Sequence, residues 1–171
     1  MDNNATTPVL PEVLDAMLPY YGSQFGNASS IHQFGQQARS AVEAARESVA
    51  KLLNCRAAEV VFTSGGTESD NLAITGIMGA VAQPGDHVIT SSIEHSAVLG
   101  AARDLQEHWG MEVTYVPVDE RGIVDPVAVV AALRPDTCLV SVMHANNEIG
   151  TIQPVAEIAR ACRARGVPIH T

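Results

Sequence analysis

Positive charge is scarce in this chain. Ten Lys and Arg stand against nineteen Asp and Glu among 171 residues, a formal net charge of −9. That balance argues against nucleic acid or an anionic membrane surface as the main partner. No apolar run is long enough to read as a transmembrane helix, and no charged-then-apolar leader precedes the first elements. The cysteines, Cys55, Cys138 and Cys162, are odd in number, widely spaced and free of any C-x-x-C pair. A disulfide framework is therefore not expected, and a reducing cytosol is the expected compartment. The six histidines show no close ligand spacing, which disfavours a metal site. Neither a G-x-x-x-x-G-K-[ST] loop nor a G-x-G-x-x-G fingerprint occurs, so the nucleoside triphosphate and dinucleotide signatures are both missing. Internal repeats, low-complexity tracts and obvious linkers are absent too.

What is present is alternation. A helix is expected from Pro8 to Tyr21, with Pro11 near its start and Pro19 ending or kinking it. A second, opened by a Ser30/Gln33 capping box, runs to about Leu53. From there short apolar runs (Val60–Phe62, His87–Thr90, Glu112–Val116, Thr137–Met143, Val167–Thr171) alternate with helical patterns (68–82, 96–108, Asp125–Leu133, Pro154–Arg165). Turns are expected at 83–86 and 119–122. Strands separated by helices of such length predict a mainly parallel sheet with helices on both faces.

The chain is organised around Val60-Val61-Phe62-Thr63-Ser64-Gly65-Gly66-Thr67-Glu68-Ser69-Asp70-Asn71. An expected strand runs into two glycines and then a helix. In that geometry the unpaired N–H groups of a helix N-terminus can cradle an anion, and glycines let it approach closely. A competing reading uses the same residues without a ligand, Thr67 and Asp70 forming a capping box. Two further polar clusters follow expected strands: Ser91-Ser92-Ile93-Glu94-His95 and His144-Ala145-Asn146-Asn147-Glu148. Ligands of open α/β sheets bind beyond the strands' carboxyl ends, so three clusters converging on one rim point to a site. Singly, each has a plainer role: His95 as a helix cap, Asn146 and Asn147 as turn residues, His144 as a core histidine.

Taken together, Asp2–Pro8, Phe25–His32, Thr63–Asn71, Glu94–Leu99 and Met143–Gly150 resemble, in the same order, the NifS/IscS-type cysteine desulfurases. These are pyridoxal-phosphate enzymes of the class V aminotransferase group. One small departure is Ala28, where the family often has Pro. The resemblance implies the aspartate-aminotransferase fold (fold type I), with residues 1–15 a leading segment packing with a small domain and 16–171 the N-terminal part of the large domain. It implies that Gly66 and Thr67 hold the cofactor phosphate. His95 would stack on the pyridine ring and assist proton transfer, and Asn146 would lie beside the ring and the substrate carboxylate. It also implies L-cysteine as substrate, with alanine and an enzyme persulfide as products. A sulfur-acceptor or iron–sulfur scaffold protein would be the partner and a homodimer the assembly.

In that family the cofactor-anchoring lysine, the aspartate facing the pyridine nitrogen and the persulfide cysteine follow a segment like His170-Thr171. Lys51, the single lysine, lies on an early helix. The sequence therefore reads as a large domain incomplete at its C-terminus, expected to be inactive alone. The alternatives are another enzyme of the fold, such as a selenocysteine lyase or an aminotransferase, and a non-catalytic remnant.

Overall fold

The computed structural model describes residues 6–83 and 86–171, apart from the side chain of Val81. Residues 1–5 of the expected leading segment 1–15, and Pro84 and Gly85 of the turn expected at 83–86, lie outside the described residues. The chain divides into two compact units, Thr7–Phe62 and one built from Thr63–Thr171.

The first unit is helical. α1 (Pro11–Tyr21) has Pro at its opening turn, where no N–H is needed, and tolerates Pro19 in its last turn. α2 (Gln33–Leu53) is capped by His32, whose Nδ1 accepts from the Gly35 N–H at 3.3 Å. The expected Ser30/Gln33 capping box is not the device used. Asn54 closes α2 in the left-handed conformation that asparagine tolerates. A 3-10 turn (Ala57–Glu59) follows, held by Glu59 accepting from the backbone and side chain of Arg56.

Val60–Phe62 is not a strand, contrary to the sequence pattern. A run of three apolar residues has no ladder partner within a unit made of helices. Val61 stays exposed, and Phe62 lies under the Arg46 guanidinium, 4.9 Å from its ring centre.

The second unit carries the sheet: α3 (Gly66–Val81), β1 (His87–Ser91), α4 (Ser96–His108), β2 (Glu112–Val116), α5 (Pro126–Ala132), β3 (Thr137–Ser141), α6 (Val155–Ala164) and β4 (Ile169–His170). Among the described residues its four strands are all parallel, in the order β2-β1-β3-β4. Alternation along β1 and β3 divides the core between the two faces. Val88 and Leu139 pack with Ile74 and Met78 of α3 and Val98, Ala101 and Leu105 of α4. Ile89 and Val140 pack with Val129 of α5 and Ile158 and Cys162 of α6. Expected signals hold at several ends. Asp125 caps α5 through the Val127 N–H with Pro126 behind it, and Gly110 and Gly166 follow α4 and α6 at φ 68° and 70°. Among the described residues no helix is long and apolar enough to cross a membrane.

The strand order places the site. From β1 the chain crosses by α4 to β2; from β3 it crosses by α6, on the opposite face, to β4. β1 and β3 are neighbours whose outgoing connections diverge, so a crevice opens between their carboxyl ends. This is the topological switch point, the preferred ligand position in open parallel sheets.

Candidate active site at the switch point

A cavity of about 420 Å3 occupies that crevice, lined by Ile93, Glu94, His95 and Ser96 after β1 and by Asn146, Asn147, Glu148 and Ile149 after β3. Two of the three polar clusters singled out in the sequence therefore share one wall-to-wall site.

His95 is the N-cap of α4: its Nδ1 accepts from the Ala97 N–H at 3.1 Å. The plainer reading is thus part of the structure, and it has a chemical consequence. With Nδ1 acting as acceptor, the neutral ring carries its proton on Nε2. The imidazole is exposed at the cavity rather than sunk in the core.

Asn146 is buried and joins the two loops. Its amide nitrogen donates to the Ile93 carbonyl at 3.0 Å, and its Oδ1 accepts from the N–H groups of Glu148 and Ile149 at 2.8 and 3.0 Å. Gly150, at φ 73°, lets the loop fold back so that its own N–H reaches the Asn146 carbonyl. Asn146 is thereby both a turn residue and the strap across the cavity floor. His144, by contrast, is exposed, so it is not a core histidine.

Glu94 was quoted in the sequence motif without a role of its own, and the structure supplies one. It is buried, and its Oε1 accepts from the Ser91 hydroxyl at 2.5 Å and the Met143 N–H at 2.9 Å. The end of β1 is thus fastened to the end of β3 directly beneath the cavity. Burial raises its carboxyl above the ordinary range, against the lowering effect of those two donors; the nearby charge of Asp70 raises it further. An acidic residue one place before an exposed histidine was the available signal, but nothing local showed that it faced inward.

The third cluster, Thr63–Thr67, opens α3 and does not line this cavity. Gly65 is the N-cap and has no side chain to cap with; Gly66 and Thr67 are the first two helical residues. The Thr67/Asp70 capping box is therefore not formed. Instead Glu68 reaches back to the N–H and hydroxyl of Ser64, at 2.7 and 2.5 Å, and these bonds hold its carboxyl below the usual range. A Cβ built on Gly65 or Gly66 would meet no atom within 4 Å, so the space before the first turn is open. An uncapped helix start, two glycines and open space suit a phosphate.

α3 reaches the sheet's carboxyl edge through Asp70, whose Oδ1 lies 3.6 Å from Nε2 of His170 at the end of β4. His170 Nδ1 is hydrogen-bonded to the Ser141 hydroxyl at 2.8 Å.

The cysteines offer little nucleophilic chemistry here. Cys162 is fully buried, Cys138 is half-buried in β3, and burial raises both thiols above their ordinary value. Cys55 is exposed in the helical unit.

A parallel sheet with helices packed on both of its faces is the large-domain architecture of the fold-type-I transferases. The chain belongs to the class-V aminotransferase family, a family of pyridoxal-phosphate-dependent enzymes, whose model matches residues 1–171. Among individual relatives, cysteine desulfurase IscS of Dictyoglomus turgidum is 50% identical over 171 residues, covering 100% of this chain and 43% of its own length. That of Anaeromyxobacter sp. strain K is 54% identical, covering 99% and 42%. Of solved structures, a NifS-like protein superposes with a TM-score of 0.93 at 41% identity, over 99% of this chain and 47% of that one. SspA in complex with cysteine superposes at 0.94 with 39% identity, over 99% and 49%. The chain thus spans less than half the length of these relatives.

Proposed function

We propose that the protein is a pyridoxal-phosphate-dependent cysteine desulfurase, removing sulfur from L-cysteine to leave alanine, and that this chain supplies its phosphate-holding helix and its ring-side histidine. The observation that carries this reading is the cavity at the switch point, where His95 and Asn146 meet from two separate loops. The names of its relatives and the cysteine bound to a structural neighbour support the substrate.

When bound, the cofactor supplies an electron sink for carbanion chemistry. The residues of this chain do the rest of what is assigned here. Gly66 and Thr67 bind the phosphate with the first-turn N–H groups and the Thr67 hydroxyl. His95, fixed in orientation by its bond to Ala97, presents Nε2 to the cavity as the site that gives and takes a proton. Asn146 holds the loops 93–96 and 146–149 at a set separation, beside the ring and the substrate carboxylate. By the family resemblance, the sulfur passes to an enzyme cysteine and on to an acceptor or iron–sulfur scaffold protein, in a cytosolic homodimer.

The test is product identity. The full-length protein, loaded with pyridoxal phosphate and given L-cysteine and a reductant, should release alanine and sulfide in equal amounts. Transfer of the amino group to a keto acid without sulfide would instead identify an aminotransferase, and this proposal would fall.

A further inference from the structure

The cavity does not by itself account for one polar row on the sheet. Thr90, Ser141 and His170 stand opposite one another across β1, β3 and β4. By alternation they share the face of Val88 and Leu139, the face covered by α3 and α4. Ser141 is 2% exposed and its hydroxyl meets His170 Nδ1 at 2.8 Å; the far side of that imidazole meets Asp70 of α3 at 3.6 Å. The result is a chain from the sheet, through Ser141 and His170, to a helix.

Asp70 occupies a telling place on that helix. It lies four residues beyond Gly66 and three beyond Thr67, so it stands one turn below both on the same side of α3. The apolar anchors of α3 in the core, Ile74 and Met78, come later. Among the described residues, Asp70 is the first along α3 to make a polar contact with the sheet. A helix anchored only at Ile74 and Met78 would leave its open first turn free to fray, as helix ends do.

Resting on the cofactor reading above, we infer that Asp70, His170 and Ser141 form a positioning device that holds the first turn of α3 at the carboxyl edge of the sheet, fixing the phosphate-binding N–H groups relative to the His95 cavity. None of the three need touch the phosphate. They act through Gly66 and Thr67, and their effect is confined to ligands that carry a phosphate.

That confinement makes the test. Apo-protein is titrated with pyridoxal phosphate and, separately, with pyridoxal, which has the same ring and no phosphate. Asp70→Ala and His170→Ala should each weaken pyridoxal phosphate by about tenfold while changing pyridoxal by less than about twofold. The double variant should be no weaker than either single one, because the residues act as a unit. Asp70→Asn, which keeps an acceptor for the His170 ring, should recover most of the loss. Hydrogen exchange at the amides of 66–69 should be faster in the two alanine variants of the apo-protein. If His170→Ala does not fold, His170→Leu, which preserves volume and breaks the chain, carries the same expectation.

The inference is overturned if pyridoxal phosphate and pyridoxal weaken together, since the residues would then act on the ring. It is also overturned if neither weakens while Thr67→Ala does, in which case the phosphate reading stands without it. Should Thr67→Ala leave the ratio of the two affinities unchanged as well, the phosphate reading itself fails and this inference goes with it.

Discussion

A single imidazole at the switch point has one structural duty and one proposed duty, and the two can be separated. His95 caps α4 through Nδ1 and offers Nε2 to the cavity. His95→Asn retains an N-cap residue but no imidazole to give and take a proton, whereas His95→Phe retains a flat ring and loses both the cap and the proton. Both should cut turnover by about 10²–10⁴-fold, the range for a lost general acid–base. Only His95→Phe should also lower apo-protein stability, by about 1 kcal/mol for the missing cap. His95→Phe should keep most of the cofactor, whereas His95→Ala should lose cofactor as well. Alanine production at saturating cysteine and a urea melt of the apo-protein check the pair. Parental turnover in His95→Asn would reduce the histidine to a cap. The cap was legible in the sequence as one of two competing roles; what was not legible was that the cap engages only Nδ1, so it does not displace the role proposed for Nε2.

At the scale of elements, the start of α3 shows how a correct expectation can rest on a mistaken detail. The helix and its open glycine-rich start were both readable. The competing capping box was assigned to Thr67 and Asp70, one turn too late, because periodicity does not fix a helix boundary to the residue. The box-like closure belongs to Ser64 and Glu68, and Asp70 is turned to β4. Thr67 is consequently exposed in the first turn and is not the cap, so its replacement should be nearly silent in the unliganded protein. Thr67→Ala is expected to shift apo-protein stability by less than about 0.5 kcal/mol, as at ordinary surface positions. It should weaken pyridoxal phosphate by about ten- to a hundredfold through loss of a charge-assisted hydrogen bond. Thermal melts of the apo-protein beside cofactor titrations measure both. A large stability loss with unchanged affinity would return Thr67 to a purely structural role. Strand order, by contrast, has no local signature. The switch point arises where the connections leaving β1 and β3 diverge to opposite faces, and the Asp70–His170 pair joins residues whose neighbourhoods share no motif.

For the molecule as a whole, buried ionisable groups on opposite ends of the sheet set the dependence of stability on pH. His87, at the start of β1, lies between the hydroxyls of Thr137 and Thr114 at 2.9 and 2.7 Å. Burial, and then the charge of Arg134, hold it below its ordinary value of 6.5; burial does the same to His170. The unfolded chain therefore takes up protons below about pH 6.5 that the folded chain refuses, so their contribution to stability is full above that pH and is lost as pH falls. Glu94 has the opposite sign. Its raised carboxyl keeps a proton that the unfolded chain has released above the ordinary 4.5, so its contribution declines as pH rises through its folded value. The melting temperature should therefore climb between about pH 5.5 and 7. The climb should flatten in His87→Gln and steepen in Glu94→Gln, where the opposing group is gone. Identical slopes in all three proteins would mean that other groups govern the profile.

The same sheet order has a consequence in time. β1, like β3, has neighbours on both sides, yet β1 is made before either of its own. His87 meets Thr114, 27 residues later, and Thr137, 50 residues later. At roughly 5–20 residues per second, a ribosome leaves β1 without its second partner for about 3–10 s. During that interval Val88, Ile89 and the backbone around them are an unpaired apolar edge, the kind that recruits other chains. Only α3, already synthesised, has Ile74 and Met78 in place to cover one face. A strand flanked on both sides once folded is thus the most vulnerable segment of the nascent sheet.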